Sequence, residues 1–149
     1  MEDALEIPSA DSDSWYGAEG MFNDKPSLLR FRPNLKEYLG HPLYARRLVI
    51  TWNYQKRNSS GMPTATQSDE MRTFEDAIVS ALDPDRLAIF AFAFTNDGIR
   101  EWHFYVKDIN EVGERINVAL ADFSKLPINL EVQDDPDWDE LRSVYNQCK

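Results

Sequence analysis

The sequence predicts an α+β sandwich in which two helices cover one face of a mainly antiparallel sheet. Three observations carry this. Residues 86–107 hold two β-rich runs that meet at Asn96-Asp97-Gly98, a strong short-range hairpin signal. A helical pattern and a strand precede that hairpin and another helix and strand follow it. The order is therefore β-α-β-β-α-β, that of a split βαβ or ferredoxin-like sandwich. Finally, the pattern fits a chain of 149 residues, long enough for one domain to bury about 70% of its unfolded surface without disulfide or metal.

Taken in order, residues 1–14 are polar, acidic and aperiodic, and read as a disordered lead-in to a single domain over 15–149. Leu28 to Arg32 reads as a short extra strand stopped by Pro33, which cannot donate to a ladder. From Tyr44 to Tyr54 the chain alternates, with Leu48, Ile50, Trp52 and Tyr54 on one face, as expected of a central strand. Asn58 to Pro63 breaks structure. Ser68 or Thr66 is placed to cap the helix that follows, whose apolar stripe is Met71, Phe74, Ile78, Ala81 and Leu82 and whose end is Asp83-Pro84. The next strand alternates Phe90, Phe92 and Phe94 with Ile89, Ala91 and Ala93, apolar on both faces and hence internal to the sheet.

Beyond the turn, Trp102, Phe104 and Val106 share one face and Glu101, His103 and Tyr105 the other. Asp108 with Glu111 opens a second helix with the stripe Val112, Ile116, Ala119, Leu120 and Phe123. Pro127 starts the last strand, Ile128 to Val132. The acidic turn Asp134-Asp135-Pro136-Asp137 then caps a terminal helix in which Trp138, Leu141, Val144 and Tyr145 recur at helical spacing. With the two helices on one face, the opposite face is left to polar residues or a partner.

Charge narrows the function. The net charge is −10, which opposes binding to nucleic acid phosphates. Its distribution is uneven: residues 1–24 hold seven acids and residues 131–140 hold six, neither with Lys or Arg, while residues 25–60 are basic. Either the basic middle neutralises the acidic ends, or one of them serves a charged partner. The N-terminal residues contain no apolar run, so the chain reads as cytoplasmic with no membrane association. The one cysteine, Cys148, forms no CxxC knuckle.

Candidate chemistry is sparse. The two histidines, His41 and His103, sit near no nucleophile motif, and the six glycines form no phosphate-binding loop. The C-terminal acids lack the central glycine and final glutamate of an EF-hand, and no metal or other cofactor is expected. Arg100-Glu101-Trp102 is the most suggestive group. Arg100 beside a tryptophan suits an anion, or it forms an ordinary ion pair with Glu75 or Asp76.

The segments Gly61-Met62-Pro63, Phe74-Glu75-Asp76, Gly98-Ile99-Arg100-Glu101-Trp102-His103-Phe104-Tyr105 and Asp135-Pro136-Asp137-Trp138, in that order, resemble the bacterial domain of unknown function family 695. The resemblance covers most of residues 15–148 and brings no catalytic residues. Some relatives in that family are joined to a domain similar to the B-type regulator of ribonuclease E activity, a small acidic inhibitor. That association implies a protein-binding role.

The expected function is a non-enzymatic, acidic protein-interaction module, such as a bacterial immunity or inhibitor protein that neutralises a basic toxin or nuclease. Its partner surface is assigned to Asp134, Asp135, Asp137 and Trp138, with Asp69, Glu70 and Glu101. The alternative is a small-ligand or anion-binding domain, weakly hydrolytic at most, that uses Arg100, His103 and Tyr105. A third reading is homodimerisation through a sheet face or edge.

Overall fold

The computed structural model describes residues 6–148. It is an α+β structure built on one six-stranded antiparallel sheet. In chain order the elements are β1 (Tyr16–Phe22), β2 (Lys25–Phe31), a 3-10 turn (Pro33–Tyr38), β3 (Arg46–Asn53), α1 (Ala65–Leu82), β4 (Ala88–Asn96), β5 (Ile99–Val106), α2 (Ile109–Ala119), β6 (Ile128–Asp134) and α3 (Asp139–Gln147). Across the sheet the strands run β1-β2-β4-β5-β3-β6. The β4–β5 hairpin turns at Asp97-Gly98, both in the left-handed region (φ 40° and 94°), which matches the right-handed twist of its strands. Gly61 packs beneath this turn at φ 79°, and a Cβ there would lie 2.7 Å from the Asp97 Cα, so this position excludes a side chain.

Helices α1 and α2 cover one face as the periodicity requires. Met71, Phe74, Ile78 and Leu82 of α1 and Val112 and Ile116 of α2 bury against Leu48, Ile50, Trp52, Trp102, Phe104 and Val106. Helix α1 is capped by neither Ser68 nor Thr66. Thr64 holds a capping box with Gln67, each side chain bonding the other's backbone N–H.

The opposite face is not left bare. Trp138, Leu141 and Val144 around α3, with Leu35 and Tyr38 of the 3-10 turn, bury a second cluster against Phe31, Ile89, Phe92 and Tyr105. Phe92 reaches this face because of a bulge. Phe90 pairs with Phe104 and Phe92 with His103, leaving Ala91 unopposed, so the alternation read through 89–94 breaks in mid-strand. Phe90 packs under the helices and Phe92 under α3.

The N-terminal expectation also changes. Residues 1–5 lie outside the described residues, but 6–14 are tied down. Ile7 is fully buried. Arg32, itself fully buried, donates to the Pro8 carbonyl (2.5 Å), to the Phe90 carbonyl (2.9 Å) and to Asp13 Oδ2 (2.8 Å). Arg86 donates to the Ile7 carbonyl at 2.7 Å, and Asp83 accepts the Ala10 amide at 3.0 Å. A polar, aperiodic segment is thus ordered by a buried and a half-buried cation, Arg32 and Arg86, that its own composition does not contain. The strand expected at Leu28–Arg32 is longer, beginning at Lys25, and forms a hairpin with β1 through Asn23 and Asp24, both at positive φ.

Candidate functional site

The basic middle of the chain meets its acidic ends: Arg32 pairs with Asp13 (2.8 Å), Arg46 with Asp134 (3.6 Å) and Arg47 with Asp135 (3.3 Å). Neutralisation accounts for these cations. It does not account for Arg100.

Arg100 stands on the helix-side face of β5, opposite Thr95 of β4. Its Nε donates to Thr95 Oγ1 at 2.8 Å, and it has no carboxylate partner among the described residues. The ion pair foreseen with Glu75 or Asp76 is not made, because Glu75 is occupied. Glu75 Oε1 accepts Arg30 Nη2 at 2.5 Å and the Trp102 indole N–H at 2.8 Å. Arg30, Arg72, Arg100, Glu75, Ser68 and Asp69 line an open cleft of about 400 Å³ between β2, β5 and the first turns of α1. Arg72 is bound to Asp69 at 2.6 Å and Arg30 also lies over the Trp15 ring, 5.6 Å from its centroid. Of the three guanidinium groups, only Arg100 has a free terminal fork.

The surroundings of that fork are partly buried and cationic. Burial, and next the nearby charge of Arg30, press the Arg100 pKa below its ordinary value, with Glu75 and Tyr54 acting in the opposite direction. The group stays cationic at neutral pH, with Glu75 near it but engaged by Arg30 and Trp102. The N-terminus of α1 adds partial positive charge at the same opening.

The residues assigned from sequence do not assemble as expected. The set Arg100, His103 and Tyr105 is divided by the sheet, since alternate residues of β5 face opposite sides. His103 stacks on Phe92 (4.1 Å between centroids), and its Nε2 lies 3.0 Å from Glu101 Oε1. Tyr105 donates its hydroxyl to Asp135 Oδ2 at 2.8 Å, and burial, together with that carboxylate, pushes its pKa well above the usual phenol value.

The proposed partner surface divides too. Asp135 and Trp138 are buried and touch no solvent-side partner. Asp135 caps α3 by accepting the amides of Asp139 (2.7 Å) and Glu140 (3.3 Å). Trp138 stacks on Tyr105 at 4.2 Å and donates to the Tyr44 carbonyl at 2.9 Å. Asp134 and Asp137 are exposed at the Arg46 end of β3, whereas Glu70 lines a hollow with Trp52 and Tyr54 at its other end, with Asp69 beside it on α1. The eight residues of β3 hold these groups about 20 Å apart. Glu101 faces the other side of the sheet, against His103. One continuous acidic surface is not formed.

A family model described as "Family of unknown function (DUF695)" matches residues 13–144. The chain belongs to the DUF695 family. No curated protein matches it. In this DUF695 chain the Asp-Pro-x-Trp segment is the buried staple of α3, and Gly61 packs under the β4–β5 turn. Arg100 is the one charged residue of the Gly-x-Arg-Glu-Trp stretch that opens on the helix-side cleft. The cleft residues Arg30 and Arg72, and Thr95 that holds Arg100, were missed from sequence because they come from three separate elements. The one available signal was that Arg30 and Arg100 both lie on apolar-facing strand positions. Among the described residues no cluster of His, Cys, Asp and Glu has the arrangement of a metal site, and no helix is long and apolar enough to cross a membrane.

Proposed function

We propose that this DUF695 protein is a non-enzymatic domain that binds a small anion, a carboxylate or phosphate group, at the cleft centred on Arg100. The observation that carries this is the free Arg100 fork, held by Thr95 and flanked by Arg30 and Arg72. A planar guanidinium fork matches two oxygens of a carboxylate or phosphate at once. Glu75 acts as a positioning group that fixes Arg30 alongside. The supporting scaffold is read as a ferredoxin-like unit, β3-α1-β4-β5-α2-β6. The order β4-β5-β3-β6 supports that reading, since the unit's first and third strands lie side by side with its second and fourth outside them. A lone free thiol, Cys148, supports a reducing, cytoplasmic setting.

Titration with inorganic phosphate and with acetate, followed by amide NMR, tests the cleft. Binding shifts the amides around Arg30, Ser68 and Arg100, and Arg100→Gln weakens it about 10- to 100-fold, the range expected for losing a bidentate, charge-assisted pair. Equal binding by wild type and Arg100→Gln, or shifts elsewhere only, rejects the assignment.

A further inference from the structure

The two outer edges of the sheet differ. β6 starts behind Pro127 and carries Glu131 and Asp134. Strand β1 has fewer of the usual protections of an edge: no Lys, no Pro, a single acid, Glu19, and an unbroken register of seven pairs with β2. It also carries three of the exposed large apolar side chains, Tyr16 (57%), Met21 (68%) and Phe22 (52%). An edge strand of this length with exposed apolar side chains offers unpaired backbone groups as a template for another strand.

The chemistry of the guest follows from the register. Tyr16, Ala18 and Phe22 share the face that bears Phe31 and Phe94, and Tyr16 and Phe22 make edge contacts with those rings at 5.9 and 5.6 Å. Glu19 stands on the opposite face, exposed and without a cationic partner among the described residues. From Asp11 to Asp24 the chain holds four acids and no Lys or Arg, and of these Asp13 is already paired with Arg32. We propose that the outer edge of β1 receives an extended segment of a partner protein in which apolar and cationic residues alternate. Its apolar side chains lie beside Tyr16 and Phe22, and its cations face Glu19. A second copy of this chain is the wrong guest. Two-fold antiparallel pairing about the middle of β1 sets Glu19 opposite Glu19, and each copy carries −10. This surface is independent of the Arg100 cleft.

The probe is an end-capped nonapeptide that alternates lysine with valine, added to the whole protein while amide hydrogen exchange is followed by NMR. The peptide slows exchange in alternate amides of Tyr16–Phe22 and leaves Ile128–Asp134 unchanged. Glu19→Lys, an exposed change that leaves the fold intact, weakens lysine-peptide binding about fivefold and favours the glutamate–valine counterpart. No protection of β1 at about millimolar peptide, protection confined to β6, or indifference to the Glu19 reversal overturns the proposal. So does β1 protection without peptide accompanied by a dimer in sedimentation, which assigns the edge to self-pairing.

Discussion

Asp135 accepts from the Tyr105 hydroxyl, from Arg47 and from two backbone amides, so one carboxylate joins β3, β5 and α3. Both side chains of its ion pair are 7% exposed, and Arg47 has little access to water if that carboxylate is neutralised. Asp135→Asn therefore lowers unfolding free energy by about 3 kcal/mol, measured by denaturant titration. Asp137→Asn, two residues on and exposed, changes it by less than about 0.5 kcal/mol. In the sequence the two aspartates are equivalent members of an acidic turn, and burial alone separates them. Trp138 is similar. Its helical spacing was legible, but its left-handed φ of 59° and its stacking on Tyr105 depend on a strand far away in the chain.

Among the elements, α1 shows where local signals were present but ambiguous. Thr64, Thr66 and Ser68 are all competent caps, and Gln67 decides among them because only Thr64 has Gln at the third helical position. Thr64→Ala costs about 1 kcal/mol, whereas Thr66→Ala, at an exposed non-capping position within the first turn, is neutral or stabilises by a few tenths. Thermal unfolding of the two variants separates them. In β4 the two-sided apolar run was legible, but the bulge at Ala91 was not, since any residue of such a run can be the unpaired one. β1 escaped notice for the opposite reason. Its composition, with two glycines, an alanine and a glutamate in seven residues, has little strand preference, and it forms because β2 supplies the ladder.

For the whole molecule, the strap of residues 6–15 ties the N-terminus to both cores, Ile7 in the second and Ala10 in the first, through Arg32 and Asp83. Burial works to raise the Asp13 pKa, but hydrogen bonds from Asn34 and Arg32 and the Arg32 charge outweigh it, holding it below its ordinary value of 3.8. A carboxyl depressed in the folded state stabilises above its unfolded pKa and loses that contribution as pH falls through the folded value. Asp83 has the opposite sign: burial raises its pKa, so its contribution is present at low pH and declines as pH rises through the carboxylate range. On acidification from neutral through the lowered Asp13 range, to about pH 2, the amides beside Asp13 exchange faster relative to those of β4 and β5. Asp13→Asn isolates the term: its strap exchanges faster already at neutral pH and responds less to acid. Hydrogen exchange measured by mass spectrometry reads both effects.

What the sequence determined by itself was the α+β class, the β4–β5 hairpin, the helix stripes and the internal place of β3 and β4, because periodicity and turn chemistry are local properties of neighbouring residues. It also offered neutralisation of a basic middle by acidic ends as one of two readings, and the ion pairs Arg32–Asp13, Arg46–Asp134 and Arg47–Asp135 are of that kind. The tertiary structure decided which acids are buried, what covers the second face and which cations converge. Asp135 with Tyr105, Arg32 with Asp13, and Arg30 with Glu75 beside Arg100 are brought together by sheet register and helix docking. Desolvation, which turns an ordinary carboxylate such as Asp135 into a staple, arises only when distant parts of the chain close over it.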